Sequence, residues 1–157
     1  MIPKIISGGQ TGADRAALDF AIKHRLSYGG WLPKGRKTED GPLDPQYQLR
    51  EMPTGNYAHR TEQNVLDADG TVIVSHGVLT GGSALTREFA RRHGRHWIHI
   101  DLAEVSPAQA AARLSSWVTQ NNVRVLNVAG PKAGKDPKIY KAALNLLEKA
   151  FAGETTV

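Results

Sequence analysis

Three glycine-rich stretches hold the residues best suited to chemistry: Ser7-Gly8-Gly9-Gln10-Thr11-Gly12, Thr80-Gly81-Gly82-Ser83, and Gly130-Pro131-Lys132-Ala133-Gly134-Lys135. Glycine lets the backbone take φ > 0 and brings its N–H groups close to an anion, with the positive end of a following helix behind them. The first stretch also suits a plain tight turn, with Thr11 as helix N-cap and Asp14 as its partner three residues on, and it fits neither G-x-G-x-x-G nor a Walker loop. Two strand–Gly-Gly–helix junctions in one short chain weight the balance toward a bound anion. The candidate positions are Gly8, Gly9, Gln10, Thr11 and Gly12 in the first junction, and Thr80, Gly81, Gly82, Ser83 and Thr86 in and after the second. Valine at Gly9 or at Gly82 is expected to impair binding more than melting. Asp14 stands against a phosphate at the same helix end unless a cation or a ligand hydroxyl intervenes. The third stretch has three residues between its glycines rather than four, and Asp136 where the magnesium-binding hydroxyl of a P-loop would be. It is therefore no P-loop, and Lys132 or Lys135 beside an anion stays open.

Cations that could meet such a ligand are Lys34 and Arg36, with Lys37, on the loop after the second strand, and Arg60. Arg60 falls four residues after Asn56, the expected N-cap, where the helix dipole slightly disfavours a positive charge. The chain has no cysteine, and its six histidines show no ligand spacing, so no protein-built metal site is expected.

The elements that must position these groups alternate between strands and helices, the pattern of a parallel sheet covered on both faces. Strands are expected at 4–7, 28–32, 47–50, 71–75, 96–101 and 124–129. Helices are expected at 13–24, 57–68, 84–93, 107–120 and 137–151. Val72-Ile73-Val74 is β-branched throughout and suits a doubly buried strand, whereas Arg124 and Asn127 make the burial of the last strand less sure. Ser106-Pro107 with Gln109 reads as an N-cap, an N1 proline and a capping-box partner, and Asp136-Pro137 repeats the cap and proline. Residues 33–45 form a thirteen-residue loop long enough for a functional loop or a lid, and residues 153–157 are expected to fray. The fold class is α/β, a Rossmann-like three-layer sandwich with a mostly parallel central sheet. A single ligand-binding domain is expected over residues 1–157, its site in the loops after the strands.

Twenty Lys and Arg against fifteen Asp and Glu give a net charge of +5 and a pI near 9.6, which favours anionic partners. No basic stripe runs along a helix and aromatic residues are 6%, so nucleic acid is disfavoured relative to a phosphorylated small molecule. With neither a signal-peptide core nor a membrane-length apolar run, a cytoplasmic protein without membrane contact is expected.

Taken in order, GGQTGADRAALD, GWLPKGRKTEDGP, AHRTEQNVLDADGTVIV, TGGSALT and VLNVAGP resemble the molybdenum cofactor carrier family. That family is similar to a circularly permuted branch of the superfamily holding the Lonely Guy phosphoribohydrolases and the lysine-decarboxylase-like proteins. The resemblance implies a Rossmann-like fold, a homo-oligomer (dimer or tetramer), and a site for a phosphorylated pterin or nucleotide-derived ligand. Molybdenum cofactor would be the cargo, held by Gly8–Gly12, Thr80–Ser83, Lys34, Arg36 and Arg60. The superfamily's enzymes carry an Arg nine residues before an Asp, kept here by Arg60 and Asp69, and a G-G-x-G-T-x-x-E signature, of which Gly81, Gly82 and Glu88 remain. Ala84 and Leu85 replace that signature's glycine and threonine. The implied alternatives are a phosphoribohydrolase cleaving nucleoside monophosphates through Arg60 and Glu88, and a sensor of a nucleotide-derived ligand.

Overall fold

The computed structural model describes residues 2–152; the expected fraying of 153–157 lies outside them. Five parallel strands make the central sheet in the order β2-β1-β9-β7-β8. They are β1 (Lys4–Ile6), β2 (Ser27–Gly29), β7 (Gly70–Ser75), β8 (His96–Asp101) and β9 (Val125–Ala129). The expected Rossmann-like sandwich is what forms. Central β7 is buried along its whole length, as a β-branched strand covered on both faces should be. Asn127 in β9 is buried too, its Nδ2 donating to Thr71 Oγ1 at 3.2 Å, which satisfies the polar atom that made this strand's burial doubtful.

One face of the sheet carries α1 (Ala13–Lys23), α4 (Pro107–Gln120) and α5 (Ile139–Leu147), the last continued by a π-helical turn, Glu148–Ala152. The opposite face carries α2 (Tyr57–Asp67) and α3 (Gly81–Arg92) around Val65, Phe89 and Ala90. The buried stripe of α1 is built from Ala13, Ala16, Ala17, Phe20 and Ala21, all 0% exposed. Helix α4 starts as expected, with Ser106 Oγ accepting from Gln109 N–H at 3.2 Å and Gln109 Oε1 from Ser106 N–H at 3.0 Å.

Elsewhere the local chemistry moves the boundaries. Helix α5 begins two residues late because Asp136 forms a turn with Lys138 N–H (3.0 Å) and spends its other oxygen on His76 Nδ1 (2.7 Å). The expected strand at 28–32 breaks at Gly30, which takes φ 129 and packs against the Ser7 carbonyl where no side chain fits. Beyond the break, β3 (Trp31–Leu32) pairs with β6 (Arg50–Glu51) in a separate ribbon. Of the expected strand at 47–50, only Arg50 is in a strand. Tyr47 instead joins Leu18, Leu32 and Leu43 in a satellite core.

The expected lid at 33–45 is an anchored element. It holds the hairpin β4 (Lys37–Thr38)–β5 (Gly41–Pro42), and Leu43 is buried. The Arg36 guanidinium donates to the carbonyls of Leu43 (3.0 Å), Asp44 (3.0 Å) and Tyr47 (2.7 Å). No helix among the described residues is long and apolar enough to cross a membrane.

Candidate functional site

The loop after β1 and the loop after β7 stand on either side of β9, whose own loop, residues 130–135, lies between them. At the usual spacing of neighbouring strands the outer two loops are roughly 10 Å apart. A cavity of about 370 Å³ opens over β9, at the carboxyl ends of the strands where α/β sheets bind ligands. Gly8, Gln10 and Asp14 line it from the first loop and α1, and Thr80, Gly81, Gly82, Ser83 and Thr86 from the second loop and α3. Gly130, Pro131, Lys132 and Lys135 line it from the third loop. It shares Thr80, Ser83, Pro131 and Lys135 with a second hollow of about 510 Å³ that reaches His76, Asp136 and Lys138.

The second glycine pair is not a loop before α3 but its first turn. Thr80 is the N-cap and gives no side-chain hydrogen bond to the helix, so the leading amides of α3 face the cavity without a capping oxygen. Lys135 Nζ hangs over this helix end, 3.2 Å from where a side chain on Gly81 would begin. An ammonium beside the positive end of a helix repels it, and an anion between the two relieves the conflict.

In the first loop the glycines divide by role. Gly8 faces the Arg60 guanidinium and the Asp14 carboxylate, and its carbonyl accepts from Arg60 Nη1. Gly9 (φ 72) points into the satellite core, where a Cβ would lie 2.7 Å from Leu32 Cδ2; Gly12 (φ 78) packs on the third loop. Neither lines the cavity, and valine at Gly9 would strike the fold, contrary to the expectation that it would act chiefly on binding. Thr11 is not the helix cap; Gly12 is. The Thr11 hydroxyl donates to Glu39 and accepts from Ala133 N–H at 3.0 Å. Glu39 also takes Gly134 N–H at 3.0 Å, so the hairpin tip ties the first and third loops together. These hydrogen bonds, that from Thr11 first, hold the Glu39 carboxyl below its ordinary range.

Of Lys34, Arg36, Lys37 and Arg60, only Arg60 lines the cavity, where Lys132 and Lys135 of the third loop join it. Lys34 is exposed and outside it, and Arg36 spends its guanidinium on its own loop. Glu88 is exposed on α3 and is not in the wall, so Arg60 and Glu88 do not meet across the cavity. Arg60 is 6% exposed and lies 3.6 Å from Asp14 Oδ2. Its Nε is buried without a hydrogen-bond partner, a deficit that ordinarily costs stability. Burial lowers the Arg60 pKa, against the pull of Asp14. Burial likewise raises Asp14 to about 6, against the pull of Arg60, the Gln10 N–H and Arg15.

Several wall residues were not singled out from sequence as site residues: Tyr57, Thr61, Asn64 and Asn127. Tyr57, Arg60, Thr61 and Asn64 follow the i, i+3, i+4, i+7 spacing of one helix face, a polar stripe that would have pointed to them. Asn64 is committed to the fold, its amide bridging both backbone groups of Trp31 (2.9 and 3.2 Å). Among the described residues no group of three or more His, Asp or Glu could hold a metal ion.

A parallel sheet with three glycine-bearing loops converging on one cleft defines a Rossmann-like protein with a candidate ligand cleft. Residues 5–151 match the Circularly permutated YpsA SLOG family, and the chain belongs to that family. It is also similar to a protein of known crystal structure, the "Putative molybdenum carrier protein" from Syntrophus aciditrophicus SB. Identity is 59% over 96% of this chain and 95% of that one, with a TM-score of 0.95. No curated protein matches the chain.

Proposed function

We propose that this protein is a cytoplasmic carrier that holds molybdenum cofactor, or a similar phosphorylated pterin, in the cleft over β9. The observation that carries this is the convergence of Gly8 and Gln10, of Thr80–Ser83, and of Lys132 and Lys135 on one cavity of about 370 Å³, a volume suited to one small ligand. In this reading the phosphate sits on the leading amides of α3 under Lys135, and the flat heterocycle lies toward Arg60, Tyr57 and Asp14. The roughly 10 Å between the outer loops matches the reach from such a ring to its phosphate.

The similarity to a protein described as a molybdenum carrier supports the cargo. The chain, without cysteine, offers no thiolate to molybdenum, so the metal would keep only the cofactor's own ligands and pass on without a protein–metal bond to break. Homo-oligomerisation and a single ligand-binding domain belong to the same proposal. Cleavage of nucleoside monophosphates draws no support from the exposed position of Glu88.

Mass spectrometry of the natively purified protein, with molybdenum content and pterin fluorescence after oxidation, tests the proposal. Stoichiometric pterin and molybdenum are expected. Free base released from nucleoside monophosphates at an enzymatic rate, and abolished by Glu88→Ala, would overturn it.

A further inference from the structure

The cleft contains one group that an anionic ligand should avoid. Asp14 lies in its wall, is 8% exposed, and is neither a helix cap nor a fully paired ion. Its Oδ2 accepts Gln10 N–H at 3.3 Å and faces Arg60 Nη1 at 3.6 Å, while Oδ1 accepts no hydrogen bond from the described residues. Arg60 is in the complementary state. Its Nη1 is spent on the Gly8 carbonyl, and neither Nε nor Nη2 meets an acceptor. A carboxylate with one unbonded oxygen and a buried guanidinium whose Nε has no partner thus stand side by side in one wall, each with capacity unspent.

We infer that Asp14 and Arg60 together read the 2-amino-4-oxopyrimidine edge of the ligand, the carboxylate accepting its 2-amino and ring N–H groups and the guanidinium donating to its 4-oxo oxygen. This rests on the carrier reading and narrows it to ligands that keep that edge. A carboxylate has lone pairs for two parallel N–H donors, and the ring edge presents donor, donor and acceptor in a row, the order in which Asp14 and Arg60 offer acceptor and donor. A ribose diol, whose hydroxyls both donate and accept, would not fix which of its oxygens meets Asp14 and which meets Arg60. Asp14 also repels phosphate, so it orients the ligand with its charged end toward α3 and Lys135. Burial raises the Asp14 pKa to about 6, against the pull of Arg60, and N–H donors from a ligand would favour its charged form. Ala58, Leu85, Val128 and Pro131 supply apolar wall for the ring faces.

The test compares 6-hydroxymethylpterin phosphate with its 2-oxo counterpart, the lumazine, by calorimetric titration at pH 7. A site built to bond an N–H group rejects the analogue lacking it, so the wild type is expected to prefer the 2-amino ligand by about tenfold or more. Asp14→Asn should reduce that preference to within about threefold, while affinity for inorganic pyrophosphate is kept or increased, since the repelling charge is gone. Equal affinity of the two ring ligands for the wild type, or an undiminished preference in Asp14→Asn, overturns the assignment and leaves the carrier reading standing. If neither ligand binds, the carrier reading fails and takes the assignment with it.

Discussion

Valine at two glycines of similar sequence context should produce opposite phenotypes. At Gly82 the new side chain meets no heavy atom within 4 Å of its Cβ, and the backbone is not left-handed. Helix α3 also loses a poor helix former in its first turn. The stability change of Gly82→Val should stay within about 0.5 kcal/mol, or about 2 °C in melting temperature. The added methyl groups, however, stand at the cavity wall before the leading amides of α3. Loss of one charge-assisted hydrogen bond is worth about 1.5–3 kcal/mol, so the Kd for a pterin phosphate should rise roughly 10- to 150-fold. At Gly9 a side chain must adopt φ 72 and crowd Leu32, Leu43 and Leu49. The left-handed backbone costs about 1–2 kcal/mol and overpacking about 1–3 kcal/mol, so Gly9→Val should lose about 2–5 kcal/mol of stability while its folded fraction binds with near-normal Kd. Differential scanning calorimetry and titration calorimetry on both variants separate the two effects. Unchanged affinity in Gly82→Val, or a fall in its melting temperature matching that of Gly9→Val, would refute the assignment of the α3 N-terminus to ligand.

Arg36→Ala removes three hydrogen bonds to loop carbonyls and should cost about 1.5–3 kcal/mol in urea unfolding, with Kd for a pterin phosphate within about twofold of wild type. Asp14, at about 6 in the folded protein against an ordinary 3.8, keeps its proton in the native state after the unfolded chain has released it. Its contribution therefore falls as pH rises from 4 to 7, by about 3 kcal/mol at 1.36 kcal/mol per pKa unit. The stability of wild type relative to Asp14→Asn, followed by urea titration over that range, should drop accordingly; a flat difference would refute the burial argument.

Periodicity and capping made the alternating scaffold legible, because β7 carries nothing but buried, mostly β-branched side chains and α4 announces itself with Ser106, Pro107 and Gln109. The glycine loops were legible as a class, yet not glycine by glycine. Gly8 and Gly9 are neighbours in sequence, but only the fold turns one to Arg60 and the other to Leu32. Sequence was also blind to where long cations point: Arg36 folds back onto carbonyls of its own loop, whereas Lys135 reaches across to α3. The polar stripe of α2 was readable as a spacing but not as a site, because a helix can carry such a polar face without any cavity meeting it.

The alanine flank of α1 governs more than packing. Ala13, Ala16, Ala17 and Ala21 are all 0% exposed, so the placement of Asp14 is inherited from how closely these small side chains let α1 pack. A single added methyl at Ala17 would lever the carboxylate out of register with Arg60. Mutational tolerance in this protein should therefore be low at buried positions outside the cleft, and a screen for lost pterin-phosphate binding would recover such lesions alongside those in the cleft.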